Sequence, residues 1–205
     1  MADVRHEQGV DLATMSRAGV DMINLSYGYL TWQTDSVRRA REEVGEASLY
    51  VEMTHTTMTG KATAGSGTQP FLRTTDEQFY TTAEMAYEQG ADGVSLFNFP
   101  YYRYHVTDKI GPFHEPPFHV LPHLKDRGFL QRQPKWYFLS AGRNDPTLGE
   151  RPLPALLKRS HPQTFSLAGV PARPRMAAGI LRLRSDESIA DREIQVCLNG
   201  IELRA

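Results

Sequence analysis

Glu52 is the residue best placed to do chemistry: it stands late in a strand-like apolar run at 48–54, with His55 just beyond it. A carboxylate at the carboxyl end of a barrel strand is where acid, base or nucleophile work is done. The bland alternative is that Glu52 pairs with an arginine such as Arg103 and orders its surroundings without reacting. Tyr27, Tyr29 and Trp32 follow one apolar run, and Tyr101, Tyr102, Arg103 and Tyr104 follow another. Aromatic walls of this kind suit sugar rings, whose CH faces stack on them, while Asn98, Arg103, His55 and Gln33 would take hydroxyl hydrogen bonds. Aromatics in such places also serve simply to fill the space beside a strand end.

Hydrolysis of a glycosidic bond takes two carboxylates, one to protonate the leaving oxygen and one to attack or to activate water. The second is not evident here. Asp35 and Asp76 occupy helix-start positions, and Asp21 and Asp92 stand at strand beginnings, so all four read as structural. His55, His105, His114, His119 and His123 invite a metal, since imidazole is a common ligand. Pro122 interrupts the His119–His123 turn and no Glu follows His119 as a zinc-protease motif requires, so neither a metal nor another cofactor is expected. Ser95 and Ser140 lack a Gly-x-Ser-x-Gly elbow, which gives serine-hydrolase chemistry no support.

Positioning these residues falls to an alternation of helices and strands. The stretch 11–19 spaces Leu12, Met15 and Ala18 helically, stops on Gly19 and runs into a strand at 20–26. The stretch 34–45, with Thr34 or Asp35 as N-cap and Gly45 as stop, repeats the plan before the strand at 48–54. Thr75 then precedes Asp76, Glu77 and Gln78 in a helix whose face is Phe79, Ala83, Ala86 and Tyr87, and Gly90 closes it before a strand at 93–98. A fourth strand is predicted at 135–140, after a shorter helix at 120–126 with Gly128 behind it. Such alternation argues for βαβ units and a parallel sheet. Long strand-to-helix loops rich in Tyr, His, Arg and Thr, set against short glycine-bearing returns, favour a barrel over an open sheet, and no glycine-rich phosphate loop follows any strand.

The predicted fold class is α/β. Residues 1–143 would form the later half of a (β/α)8 TIM-type barrel, about four βα units; 144–163 would be a proline-bearing linker; and 164–205 a small β-sandwich-like segment with few strands for a sandwich. Strands in that last part are expected at 164–168, 178–184 and 193–198, with Asn199-Gly200 as a hairpin turn before 201–203.

With 205 residues, 40% of them hydrophobic, and a net charge of -1, the chain has enough apolar material for a core and no basic cluster for nucleic acid or an anionic membrane. Neither partner is expected. Cys197 is the only cysteine, which rules out an internal disulfide. The first ten residues lack the apolar run of a secretory signal and no stretch approaches a membrane span, so a soluble chain is expected, in a compartment the sequence leaves open.

The segments VDMINLS at 20–26, YVEMTH at 50–55, RTTDEQ at 73–78 and GADGVSLFNF at 90–99 together resemble bacterial glycoside-hydrolase-like barrel proteins, often labelled family 10-like. The resemblance spans residues 9–140 and implies that the strands are the fifth to the eighth of an eight-stranded barrel, with a β-rich appendage behind them. It also implies one catalytic carboxylate from a fourth strand, upstream of this chain, and another from the seventh, where this sequence carries Asn98.

The function these readings lead to is action on, or binding of, a saccharide, with hydrolysis by Glu52 and His55 as the leading activity. A non-catalytic carbohydrate-binding or structural module is the first alternative, and Asn98 speaks for it. A metal-dependent lyase or aldolase-type barrel is the second. Because four strands cannot close a barrel, the open sheet edges are expected to pair with a second copy, with a missing upstream half or with the C-terminal strands.

Overall fold

Three apolar alternations, at 22–25, 48–53 and 93–96, become the strands of one parallel sheet, and the helices between them cover a single face of it. In the computed structural model the described residues are 10–26, 31–58, 71–100 and 115–139, with shorter pieces between 153 and 203. Helix α1 (Leu12–Arg17) leads into β1 (Met22–Leu25), α2 (Ser36–Val44) into β2 (Ser48–Met53), and, after a small antiparallel pair of β3 (Thr57–Met58) and β4 (Phe71–Leu72), α3 (Asp76–Glu88) into β5 (Gly93–Leu96). A 3-10 helix at Phe118–His123 and α4 (Arg127–Arg132) follow.

The helix starts obey local chemistry. Asp11 accepts from the Thr14 amide, and Thr75 and Gln78 form a reciprocal capping box, each satisfying an amide that the first turn leaves without a partner. Asp35 caps α2 by position alone, while the Thr34 hydroxyl accepts from the Ser36 amide at 3.2 Å. Val37, Ala40 and Val44 recur on one face of α2 and meet Leu49 and Val51, the inward residues of β2. Further along, Met53 joins Phe79, Ala83, Phe99, Val120 and Leu130 in a second cluster that ties α3 to α4 and to the 3-10 helix. The Tyr87 hydroxyl donates to the Leu124 carbonyl at 3.0 Å, and burial holds this phenol above its usual pKa.

The sheet order is β1-β2-β5, with Met22 opposite Ser48 and Tyr50 opposite Gly93. These three strands, with separate two-stranded antiparallel pieces elsewhere, replace the four consecutive units of a (β/α)8 barrel predicted from the sequence, and the barrel reading is overturned. The reason lies at 135–139, where a fourth strand was expected and none forms. That segment's backbone is held by side chains instead. The Gln33 carboxamide donates to the Trp136 carbonyl at 3.0 Å and accepts from the Phe138 amide at 2.9 Å, while the Thr81 hydroxyl accepts from the Trp136 amide at 2.9 Å. Those three backbone groups are thereby engaged by side chains rather than by a neighbouring strand. The helix before it differs too: the predicted turn at 120–126 divides into the 3-10 helix, which accommodates Pro122, and α4, which places Gly128 in its first turn.

Gln33→Ala would remove hydrogen bonds to two backbone groups at once. The expected cost is roughly 1–3 kcal/mol in urea denaturation. A change below about 0.5 kcal/mol, within the range of ordinary surface substitutions, would show that solvent takes over both bonds.

The chain divides into two compact units, Met1–Pro171 and Ala172–Ala205. In the second, β6 (Val196–Leu198) and β7 (Ile201–Leu203) form an antiparallel hairpin about Asn199 and Gly200, both at positive φ (50° and 82°), as the Asn-Gly pair predicts for this turn. The β-sandwich-like segment is overturned as well. The stretch 164–167 in the first unit and 180–183 in the second form no strands, and Ile180 and Leu183 are exposed rather than set into a second sheet. Sandwiches need two packed sheets, and one hairpin supplies neither.

Candidate functional site

The alternation of β2 sends Leu49, Val51 and Met53 toward the helices and Tyr50 and Glu52 to the opposite face. Asn24 of β1 and Ser95 of β5 lie on that same face, by the alternation of β1 and by register with Glu52. A connected polar group results. The Ser95 hydroxyl donates to Asn24 Oδ1 at 2.8 Å, crossing over the middle strand, and Asn24 Nδ2 donates to Glu52 Oε2 at 3.2 Å. The Ser26 hydroxyl, just past β1, donates to Glu52 Oε1. Glu52 thus accepts at both carboxylate oxygens, from Asn24 and Ser26 on the β1 side, and is 9% exposed.

Tyr50 stands beside this group, half-buried, directly over Gly93. A Cβ added to Gly93 would come within 2.4 Å of Cε1 and 2.8 Å of Cδ1 of the ring, so only glycine leaves the ring this place. Aromatic ring, carboxylate, amide and hydroxyls therefore share one strand-lined surface. Glu52 is the only carboxylate on β1, β2 or β5, and those strands carry no lysine or arginine.

His55, predicted to act beside Glu52, is turned the other way. Its ring lies among Phe79 and Phe99, with centroids 6.4 and 6.0 Å away, in the core beneath the helix α3. Trp32 borders a narrow crevice with Val37, Val51, Thr82 and Met85, on the helix-covered side of the sheet. Gln33, expected to meet hydroxyls of a ligand, grips the 136–138 backbone. Asn98 sits just past β5 in a left-handed conformation, φ 49°, which asparagine tolerates better than most residues. Tyr27, Tyr29, Tyr101, Tyr102 and Arg103 lie outside the described residues.

Of the four aspartates read as structural, Asp92, Asp76 and Asp35 have described side-chain contacts. Asp92 accepts from Arg41 at 3.0 Å and from the Leu49 amide at 2.8 Å, tying α2 and β2 to the start of β5. Asp76 meets His119 at 2.6 Å, and Asp35 faces Arg39 at 3.7 Å. The Asp21 carbonyl accepts from the Ser48 amide at the entry to the sheet. Among the described residues no group of three or more His, Cys, Asp or Glu side chains could hold a metal ion.

Asn24, Ser26 and Tyr50 escaped the sequence reading. The signal available was period two: positions 24, 50, 52 and 95 are the polar or aromatic members of strands whose alternate residues are apolar. The threonines were also missed. Thr31, Thr54, Thr56 and Thr74 are buried and interlinked: Thr54 Oγ1 and Thr56 Oγ1 lie 2.8 Å apart, and Thr74 Oγ1 donates to the Thr54 carbonyl at 3.0 Å. This network fixes the turn after β2, just beyond Glu52, against the start of the chain leading into α2.

A cleft of about 150 Å³ between α3 and α4, lined by Glu84, Tyr87, Arg127 and Leu130, lies among the helices and away from this face. No helix among the described residues is long and apolar enough to cross a membrane. No protein-family model matches the chain, and no curated protein is significantly similar to it.

Proposed function

We propose that the chain binds a saccharide on the polar face of the β1-β2-β5 sheet, with Glu52 as the anchoring carboxylate. The observation that carries this reading is the fixed group Asn24–Glu52–Ser26, with Ser95 behind it and Tyr50 alongside. A carboxylate whose oxygens already accept from an amide and a hydroxyl has a set orientation and keeps lone pairs for ligand hydroxyls. The ring beside it offers an apolar surface for sugar CH groups.

Recognition is favoured over hydrolysis because β1, β2 and β5 offer this one carboxylate, whereas hydrolysis takes a pair. His55, turned into the aromatic core, does not supply a second acid at this face. Glu52→Gln keeps the shape of the side chain while removing its charge. The expected outcome is at least about a tenfold loss of affinity for oligosaccharides in calorimetric titration, the size of one charge-assisted hydrogen bond. Unchanged affinity would remove Glu52 as the anchor, and turnover of aryl glycosides that disappears in Glu52→Gln would replace recognition by hydrolysis.

A further inference from the structure

Helices α3 and α4 each turn a three-residue face to the cleft of about 150 Å³ between them. Glu84, Tyr87 and Glu88 recur at i, i+3 and i+4 on α3, and Arg127, Leu130 and Gln131 repeat that spacing on α4. One wall is therefore acid, ring and acid, and the other base, apolar group and amide. Depth sorts them further: Glu84 and Leu130 are buried at the floor, Tyr87 is half-buried, and Glu88, Arg127 and Gln131 are exposed at the rim.

At the floor, Glu84 meets Lys135 at 2.7 Å, and the two together carry no net charge. At the rim, the Arg127 guanidinium lies over the Tyr87 ring, 4.7 Å from its centroid, and the Tyr87 hydroxyl is tied to the Leu124 carbonyl at 3.0 Å. A stacked guanidinium engages the ring with its face and keeps its N–H edge, the part that grips a carboxylate through two parallel hydrogen bonds. Glu88, on the opposite wall, is not ion-paired with Arg127. One cation and one anion thus stand across the mouth of a small cleft.

A singly charged ligand would match one wall and leave the other unmatched, whereas a zwitterion matches both. The volume limits its size, since a cavity of about 150 Å³ takes a molecule such as benzene. Tyr87 and Leu130 favour an apolar substituent beneath the charged groups. We infer that this cleft binds a small free α-amino acid with an apolar side chain, its carboxylate on Arg127, its ammonium on Glu88 and its side chain against Leu130 and Tyr87. The site lies away from the sheet face and stands independently of the saccharide reading.

The test is an NMR titration of the full chain, following the backbone amides of 84–88 and 127–131, with L-valine, with isovalerate, which lacks the amine, and with isobutylamine, which lacks the carboxylate. Valine is expected to bind at least about ten times more tightly than either analogue, the difference made by one charge-assisted hydrogen bond. Glu88→Gln should bring valine down to the level of isovalerate, and Arg127→Met should bring it down to the level of isobutylamine. Both positions are exposed, and the dispersion of the remaining amide signals checks that each variant keeps its fold.

Equal affinity for valine and either analogue would overturn the zwitterion assignment, as would a valine affinity unchanged in either variant. Shifts confined to residues outside the cleft, or none with any of the three compounds, would overturn the site itself. The saccharide reading is untouched by each of these results.

Discussion

Lys135→Met is expected to destabilise the protein by roughly 3–5 kcal/mol, the usual penalty for stranding one member of a buried ion pair. Lys135 Nζ lies 2.7 Å from Glu84 Oε2, with the two side chains 10% and 4% exposed, and it also donates to the Leu130 carbonyl at 2.5 Å. Lysine is thereby a three-way tie between α3, the end of α4 and the segment that follows it. Removing it takes away the cation that Glu84 Oε2 meets at the buried end of this contact. The paired replacement Glu84→Leu with Lys135→Met should recover most of the loss, because a buried pair exchanged for apolar groups of similar volume is often neutral. Urea denaturation of the two singles and the double measures the coupling directly. A single variant losing less than about 1 kcal/mol would mean that water reaches the pair and screens it as at a surface.

Phe79→Ala should have an effect of similar size, about 3–5 kcal/mol, by a different mechanism. The ring is fully buried, at the centre of the cluster of Met53, Phe99, Val120 and Leu130, and it meets Phe99 edge-on at 5.9 Å. Truncation loses the transfer free energy of the ring and leaves a cavity that the rigid strand β2 below cannot fill. The same denaturation series tests it. Because Phe79 also flanks His55, loss of the ring should loosen that histidine, visible as a shift of its imidazole protons in NMR spectra, whereas Lys135→Met should leave them in place.

What could be read in advance follows the range of the forces involved. Helix ends and strands β1, β2 and β5 were legible because caps, glycine stops and apolar periods are local: Thr75 with Gln78, and the alternation of Leu49, Val51 and Met53, need nothing beyond their neighbours. The hairpin at Asn199-Gly200 was legible for the same reason. The barrel was not there to be read. Its prediction assumed that an apolar run at 135–139 would join the sheet, and a run of Trp, Tyr, Phe and Leu does not reveal that Gln33, about a hundred positions earlier, has claimed its backbone.

The site was half legible. Glu52, the proposed anchor, could be singled out from its place at a strand's end, and Asn24, Tyr50 and Ser95 beside it could not, because they come together only through the β1-β2-β5 register. His55 was misplaced by proximity in sequence: three residues past Glu52, past the end of the strand, is enough to turn a side chain from one face to the other.

The grip of Gln33 on the 136–138 backbone bears on how the chain opens. In a sheet, a strand's amides are protected by a neighbouring backbone and exchange with solvent hydrogen only when that ladder parts. Here the Phe138 amide donates to one side-chain carboxamide rather than to a neighbouring backbone, and that carboxamide also donates to the Thr82 hydroxyl of α3 at 3.2 Å. Its exchange clock should therefore run apart from that of the sheet, marking 134–139 as a separate opening unit with a lower free energy than the core it lies against.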